Sequence, residues 1–151
     1  MPAPIEIHQD VDAPADKVWA IITDIENAAQ TISGIKKVER LDDADDFVVG
    51  TRWRETREMF GRSATEEMTV SEIAPGRSYS TVADHDKVHY ESTLSVEPTG
   101  AETSRLTMRF DAQTSGFLNK TLGAVIGAIM VRSTRKLMQQ DLADIAAAAE
   151  V

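Results

Sequence analysis

The sequence predicts an α+β domain whose elements follow in the order β-α-α-β6-α: one strand, two short helices, six strands and one long helix. An alternating apolar segment near the N-terminus predicts the first strand, and a central region with regularly spaced turns predicts the other six. A C-terminal apolar stripe with helical spacing predicts the long helix. At 151 residues the chain has the length of one domain with a sizeable core, so residues 1–151 are interpreted as a single domain.

The first strand and the start of the first helix have clear signals. In the segment "IEIHQDV", Glu6, His8 and Asp10 alternate with apolar or uncharged residues, as in a strand with one buried face. Pro14 suits the first turn of a helix, and the helix dipole favours the carboxylate of Asp16 at the same end. The sequence therefore predicts a strand followed at once by a helix.

The first helix has one apolar face, and a second, shorter helix follows it. The apolar positions have the spacing i, i+3, i+4, i+7 and are Val18, Ile21, Ile22 and Ile25. This helix is expected to end near Thr23–Asp24, and the shorter one to reach Ile32 with Gly34 as its stop. Because residues 26–34 are mostly small and polar, we interpret them as the rim of an open site.

The region from Ile35 to Thr114 has no helical stripe, and five turns divide it into six alternating runs. Consecutive strands of this kind predict an antiparallel meander. Two-residue loops at Gly61–Arg62, Pro75–Gly76 and His85–Asp86 would fix the register. They predict the pairs Met59–Ala64, Arg57–Glu66, Glu55–Met68, Val70–Thr81, Met68–Ala83, Ala83–Val88 and Thr81–Tyr90. The last loop, around Gly100, needs three or five residues to keep its apolar positions on one face.

The C-terminal helix is predicted from Gly116 to Ala149. Its apolar stripe is Leu118, Leu122, Val125, Ile126, Ile129, Met130, Ser133, Leu137, Leu142 and Ile145. A patch of small residues, Gly123, Ala124, Gly127 and Ala128, allows close packing on the sheet, space for a ligand, or a helix–helix contact.

The predicted register gives the sheet an inner face that is mostly apolar but has a polar island at Glu55, Arg57 and Glu66. Burial of an ion pair in a dry core costs several kcal/mol per ion, so a wet cavity is a natural explanation for this island. The predicted ligand-binding residues are Trp53, Glu55, Arg57, Glu66, Met68, Tyr79, Thr81, Tyr90, Ser92, Met108, Phe110, Ile126 and Met130. The island could equally be a cross-strand ladder of salt bridges.

Other candidate sites are weaker. Trp19 and Trp53 are interpreted as core residues, Trp19 more firmly. His8, His85 and His89 lie in the outward register or in a turn without the spacing of a metal site, so no metal is predicted. No phosphate loop, dinucleotide fingerprint or Ser-His-Asp elbow is present, and no cofactor is predicted.

Composition restricts the partners. The formal net charge of −9 argues against a nucleic-acid backbone or an anionic membrane surface. The absence of cysteine excludes disulfides and thiol nucleophiles and is compatible with the cytoplasm, the predicted location. The N-terminus lacks a signal-peptide pattern, and the longest uncharged stretch, Thr121–Val131, is too short to span a bilayer. No integral membrane association is predicted.

Two stretches carry a family resemblance. "APADKVWAIITDIENAAQTISGIKKVE" resembles the opening of the SRPBCC superfamily, also called START-like or Bet v 1-like, and "VGTRWRETREMFGRSATEEMTVSEIAPGRSYS" resembles its central hairpin. The predicted element order matches the helix-grip fold of this superfamily over essentially the whole chain. The resemblance implies a seven-stranded curved antiparallel sheet wrapped around the C-terminal helix, with a hydrophobic cavity between them. Where many relatives have an aromatic residue and a proline, this chain has Ala28–Ala29, which predicts a wider mouth.

Three functions are compatible with this sequence. The resemblance, with its polyketide cyclase/dehydrase-like and lipid-transport members, favours binding of a lipid, isoprenoid or aromatic polyketide in the cavity. The alternative is a polyketide cyclase/dehydrase-like enzyme in which Glu55, Arg57, Glu66 or Tyr90 moves protons. The second alternative is an interaction protein that uses the apolar helix face, so a monomer and a homodimer both remain possible. Fold alone does not decide between them.

Overall fold

The computed structural model describes residues 4–42, 46–59, 61–85, 88–114 and 120–151, and their side chains except at positions 59, 85, 114 and 120–131. The strands are β1 (Ile5–Val11), β2 (Ile35–Arg40), β3 (Arg52–Met59), β4 (Arg62–Ala74), β5 (Ser78–His85), β6 (Val88–Pro98) and β7 (Ser104–Thr114). The helices are α1 (Ala15–Ile22), α2 (Ala28–Thr31) and α3 (Lys120–Ala149), with a 3₁₀ turn at Ile25–Asn27 between α1 and α2. The predicted element order is confirmed; residues 116–119 of the predicted C-terminal helix lie outside the described residues.

The strands form one curved antiparallel sheet of seven strands in the order β1-β7-β6-β5-β4-β3-β2. The strands from β2 to β7 are therefore a meander, as predicted, and β1 closes the sheet at the β7 edge. The helix α3 packs along β1 and α1, while α2 lies against β2. The sheet is thus wrapped around the C-terminal helix, which confirms the α+β helix-grip fold.

Two of the predicted hairpin loops are wrong by one position each. Met59 pairs with Arg62, so residues 60 and 61 form the β3–β4 connection, and His85 pairs with Val88 across residues 86 and 87. The pairs are consequently shifted by two residues: Arg57 lies opposite Ala64 and not Glu66. The same correction applies to Met59–Ala64, Glu55–Met68, Ala83–Val88 and Thr81–Tyr90. A shift of two keeps every side chain on its predicted face, because side chains alternate with a period of two.

The β4–β5 hairpin reaches the predicted register by a different route. Ala74 pairs with Ser78, so the turn has three residues, 75–77, and Gly76 adopts a φ of 74° in it. An irregularity between Val70 and Glu72 then absorbs the extra residue, and Val70 lies opposite Thr81 as predicted. A β-bulge has compensated a longer turn.

The last hairpin confirms the odd-length loop. Pro98 pairs with Ser104, which leaves the five residues 99–103 in the loop. The backbone N–H groups of Thr99 and Gly100 both donate to the carbonyl oxygen of Thr103, at 3.0 and 3.3 Å. This loop places the apolar residues of β7 opposite those of β6 on the inner face: Leu106 with Val96, Met108 with Leu94, Phe110 with Ser92 and Ala112 with Tyr90.

The core divides into two clusters of buried side chains. The larger joins α1, β1, β6, β7 and α3, and Val18, Leu106 and Leu142 at its centre are fully buried. The smaller consists of Ile25, Trp53 and Val70 under the 3₁₀ turn. Full burial of such side chains stabilises a fold by roughly 2 kcal/mol each, so these clusters hold the sheet and helices in place around the space between them.

Candidate functional site

A cavity of about 100 Å³ lies between the concave face of the sheet and α3. Trp53, Met68, Leu94 and Met108 line it from the sheet, and Ile145 from α3. The remaining described wall residues come from α1, the 3₁₀ turn, α2, β2 and the polar positions of the sheet: Ile21, Ile22, Ile25, Ala28, Thr31, Ile32, Ile35, Glu55, Arg57, Tyr79, Thr81, Ser92 and Asp141. A dry cavity of roughly 150 Å³ accepts a benzene ring, so a space of about 100 Å³ has the size of a short chain segment or of part of a ring system.

Residues of α2 form part of the wall because the chain between α1 and β2 crosses one end of the sheet. Ala28, Thr31 and Ile32 line the cavity, so the short segment that the sequence analysis interpreted as its rim contributes to its wall. The segment is held on α3: Asp144 accepts hydrogen bonds from the backbone N–H of Ser33 at 2.9 Å and from its hydroxyl at 2.8 Å. The rim is therefore fixed to the helix that the sheet surrounds.

The polar end of the cavity is an ionic cluster formed by Glu55, Arg57 and Asp141. Arg57 Nε donates to Glu55 Oε2 at 2.8 Å. Its Nη1 and Nη2 donate to Asp141 Oδ1 and Oδ2 at 3.2 and 2.8 Å, which is a bidentate ion pair. Trp53 Nε1 donates to the remaining Glu55 oxygen at 3.3 Å. The cluster joins β3 in the sheet to α3 across the cavity.

Burial and charge act in opposite directions on this cluster. Burial opposes the charge of Arg57, but the facing carboxylates of Glu55 and Asp141 outweigh it and raise the pKa of the guanidinium. Burial also raises the pKa of Asp141 above its ordinary value, although Arg57 opposes that shift and the nearby carboxylates of Glu55 and Asp144 support it. The bidentate contact with Arg57 is that of an ionised carboxylate, so Asp141 needs Arg57 to hold its charge.

Tyr79 lies beside the cluster and is tightly packed. Its ring makes edge contacts with Trp19 and Phe47, with centroids 6.3 and 4.8 Å away. Its hydroxyl donates to the carbonyl oxygen of Ile22 at 3.1 Å. Burial, with a smaller contribution from the charge of Glu55, raises the pKa of the phenol. Tyr79 is therefore a neutral wall residue that ties β5 to the end of α1.

Most of the predicted ligand-binding residues meet at this cavity. Those that line it are Trp53, Glu55, Arg57, Met68, Tyr79, Thr81, Ser92 and Met108. Glu66, Tyr90 and Phe110 share the inner face but are not among the described wall residues; Tyr90 stacks on Phe110 with centroids 5.7 Å apart. Ile126 and Met130, and the patch at residues 123–128, belong to the part of α3 whose side chains lie outside the described residues.

The polar island is real, but its predicted partners were wrong. Arg57 forms an ion pair with its strand neighbour Glu55, two residues away, and with Asp141 on α3, instead of with Glu66 across the sheet. Asp141 was missed by the sequence analysis. It lies one turn before Ile145 and beside Leu142, so the helical stripe itself places this carboxylate on the buried face. Only 5% of Asp141 is exposed.

The two tryptophans differ from the expected order. Trp53 is buried at 3% exposure, whereas Trp19 is only partly buried and packs at the edge of the larger core cluster.

On the outer face, His8 contacts Thr107 and Glu6, and His89 contacts Asp84. Among the described residues, no three His, Asp or Glu side chains are grouped as a metal site would require. No helix in the described part of the chain has the length and hydropathy to cross a membrane.

A family model described as "Polyketide cyclase / dehydrase and lipid transport" matches residues 3–150. Among curated proteins, no sequence matches the chain. Solved structures of similar fold include the Zhui aromatase/cyclase from Streptomyces sp. R1128, with a TM-score of 0.76, 20% identity, and coverage of 98% of this chain and 93% of that one. A START superfamily protein from Mycobacterium smegmatis has a TM-score of 0.70, 21% identity, and coverage of 97% and 94%.

A third solved structure has a similar fold at lower identity. The norcoclaurine synthase from Thalictrum flavum, in complex with dopamine and hydroxybenzaldehyde, has a TM-score of 0.69 and 15% identity, with coverage of 99% of this chain and 88% of that one. At such identities the likeness concerns the fold alone.

Proposed function

Because the chain belongs to the polyketide cyclase / dehydrase and lipid transport family, we propose that it binds a hydrophobic small molecule in the cavity between the sheet and α3. The proposed classes are an aromatic polyketide, an isoprenoid or a lipid. The ring or chain contacts the apolar wall, and a polar group of the ligand meets the cluster of Glu55, Arg57 and Asp141. The observation that carries this proposal is an apolar cavity with one ionic cluster at its end.

The apolar wall supports binding of a hydrophobic group. Side chains such as Ile25, Met68, Leu94 and Met108 come from separate elements and meet around the same space. Methionine adapts to ligands of different shape because it has three rotatable bonds and a polarisable sulfur. Apolar walls with a few well-placed polar groups are typical of sites for small molecules.

The ionic cluster supports orientation of the ligand. Three donor directions of Arg57 are used by Glu55 and Asp141, and a guanidinium has five N–H donors in total. Within the described part of the chain, the hydroxyls of Thr81 and Ser92 line the cavity without a hydrogen bond to another side chain. These groups can pair with a polar atom of the ligand, which would fix its direction in the cavity.

Native mass spectrometry of the freshly purified protein tests this proposal. We expect a non-covalent adduct of hydrophobic character that is lost under denaturing conditions. A thermal-shift panel with farnesol, emodin and monoolein then compares the three proposed classes, and at least one of them should raise the melting temperature. No adduct together with no shift for any of the three compounds would contradict the proposal.

A pair of leucine substitutions on one strand provides the control. Ser92→Leu adds volume inside the cavity, whereas Ser95→Leu makes the same change on the opposite face of β6. Ser92→Leu should abolish the adduct and the thermal shift, and Ser95→Leu should preserve both. Loss of binding in both variants would show that the effect does not come from the cavity.

Catalysis of the polyketide cyclase/dehydrase type is a second candidate function. It is favoured by one observation: a buried carboxyl with a raised pKa, Asp141, lies in a cavity beside Glu55 and Arg57. Of the four catalytic candidates, Glu55 and Arg57 line the cavity, and Glu66 and Tyr90 are not among its described wall residues. If a poly-ketone substrate is turned over, Glu55→Gln should reduce kcat, and Glu66→Gln should leave it unchanged. The reverse pattern would exclude this site.

A further inference from the structure

The three charges that line the cavity do not cancel. Glu55 and Asp141 each contribute one negative charge and Arg57 one positive charge, so the ionised side chains among the described wall residues sum to −1. All three side chains are largely buried, with 14%, 8% and 22% of their surface exposed, respectively. Water therefore screens this excess charge far less than it screens charges on the outer surface.

Arg57 retains two N–H groups that can each donate one hydrogen bond, but it has no parallel pair of donors left for an anion. Its Nε and one hydrogen each of Nη1 and Nη2 point to carboxylates at 2.8, 3.2 and 2.8 Å. A ligand carboxylate or phosphate would have to displace Glu55 or Asp141 to form its own bidentate contact. The displaced carboxylate would then remain buried without a partner, which is strongly unfavourable.

The carboxylate oxygens, by contrast, retain capacity as acceptors. Each oxygen of Glu55 and Asp141 accepts one protein hydrogen bond in the described structure, and a carboxylate has about four lone-pair sites. An ammonium or hydroxyl group of a ligand can donate to them without breaking the ion pairs. The cluster thus presents a negative, acceptor-rich wall to the cavity.

Resting on the proposed function, we propose that the polar group of the ligand is a hydrogen-bond donor, either neutral or cationic, and that the cavity excludes ligands with an anionic head group. Alcohols, phenols and amines are therefore the proposed head groups, and fatty acids and lipid phosphates are rejected. The formal net charge of −9 on the whole chain acts in the same direction, because it repels anions before they reach the cavity.

Three probes of one size test this selectivity: benzylamine, benzyl alcohol and benzoate, which share a single ring and differ in the charge of the polar group. The indole N–H signal of Trp53 reports binding, because this group donates to Glu55 at 3.3 Å. The indole N–H signal of Trp19, the second of the 2 tryptophans, serves as the reference. In ¹H–¹⁵N correlation spectra at pH 7, benzylamine and benzyl alcohol should shift the Trp53 indole signal to saturation. Benzoate should bind more weakly than benzyl alcohol by a factor of at least about ten.

Two matched variants assign the selectivity to the cluster. Glu55→Gln removes one negative charge from the cavity wall and keeps an acceptor for Trp53, so benzoate should bind it several-fold better than it binds the wild type. Glu91→Gln makes the same change on β6, at an exposed residue next to Ser92 whose side chain lies on the opposite face of the sheet, and should leave the selectivity unchanged.

The outcomes separate the two proposals. Binding of benzoate as tight as that of benzyl alcohol would overturn the charge selectivity and leave the proposed function intact. Selectivity that persists in Glu55→Gln would also overturn it, because the cluster would not be the source. If none of the three probes shifts the Trp53 signal, the charge selectivity fails, and the native mass spectra and the thermal-shift panel decide the proposed binding function separately.

Discussion

Arg57 on β3 holds Asp141 on α3 through two parallel hydrogen bonds of 3.2 and 2.8 Å, across 84 positions of sequence. This contact is an ionic link between β3, the strand next to the β2 edge of the sheet, and the helix that the sheet surrounds. It also places a guanidinium and two carboxylates inside a cavity whose other walls are mainly apolar. The same pair of residues is thus important for the stability of the fold and for the chemistry of the site.

Asp141→Asn should lower the free energy of unfolding by about 3 kcal/mol, because the amide offers Arg57 one acceptor in place of two and turns its own N–H donors toward the buried guanidinium. Urea denaturation followed by circular dichroism measures this change. Arg57→Met should cost a similar amount, since it leaves Glu55 and Asp141 buried without their cation. In the double variant, the cost should be lower than the sum of the single costs by about 1–3 kcal/mol. Strict additivity would mean that the two side chains do not interact in solution.

Tyr79 should stay protonated at pH values where an exposed tyrosine ionises, because burial and the charge of Glu55 raise the pKa of its phenol. Since the acid has a higher pKa in the folded state than in the unfolded state, stability should fall as the pH rises above about 10. The Tyr90→Phe variant isolates the signal, because the chain has 2 tyrosines. Its absorbance at 295 nm should remain flat until the protein unfolds, and then rise in one step. A gradual rise near pH 10 in the folded protein would contradict this prediction.

Asp144 should stabilise the rim of the cavity in a pH-dependent way. Burial opposes its charge, but hydrogen bonds from the N–H and hydroxyl of Ser33 and from Gln140 outweigh this effect and lower the pKa of the carboxyl. A depressed pKa in the folded state gives stability that is present above the unfolded value and is lost as the pH falls through the folded value. Asp144→Asn should therefore be less stable than wild type at pH 7, and the difference should shrink below about pH 4. Denaturation curves at several pH values test this, and a constant difference would contradict it.

Two glycines should differ in their response to substitution by alanine. Gly50 has a φ of 97° and donates its N–H to the carbonyl oxygen of Val70 at 2.8 Å, so Gly50→Ala should cost about 1–2 kcal/mol. Gly34 does not have a positive φ, and a Cβ there would lie 3.5 Å from Arg57 Nη1, an ordinary contact. Gly34→Ala should therefore change stability by less than about 1 kcal/mol. A melting temperature lowered equally by both substitutions would show that Gly34 has a conformational role that the backbone does not indicate.

Gly34 shows that a helix boundary can be predicted correctly although the reason for the prediction does not hold. The sequence analysis placed the end of the second helix there because glycine often ends helices in a left-handed conformation. The helix does end nearby, at Thr31, but without a positive φ at Gly34. A Cβ at this position would lie 3.5 Å from Arg57 Nη1 and 3.9 Å from Asp141 Oδ1, which are ordinary contacts. Neither the backbone conformation nor a close tertiary contact therefore requires glycine here.

The strand pairs show the same limit on a smaller scale. Alternation placed Trp53, Glu55 and Arg57 on the inner face, and their faces are correct in the structure. Their predicted partners on β4 were wrong by two residues, because Met59 pairs with Arg62 and the loop therefore begins one position earlier than predicted. The β5–β6 loop begins one position later than predicted, because His85 pairs with Val88. Periodicity is insensitive to a shift of two, whereas hydrogen-bonded pairing depends on the turn itself.

The element order, the inner face of each strand and the presence of charges among apolar residues can be derived from the sequence, because they depend on local periodicity and on turn residues. The identity of the carboxylate that holds Arg57 depends on the tertiary fold. Asp141 is separated from it by 84 positions, and its contact exists only because the sheet curves around α3. Local sequence patterns do not specify how two elements that are distant in the sequence pack against each other. The contact of Arg57 with Asp141, and with it the net negative charge of the cluster, could therefore not be predicted before β3 and α3 were placed in the fold.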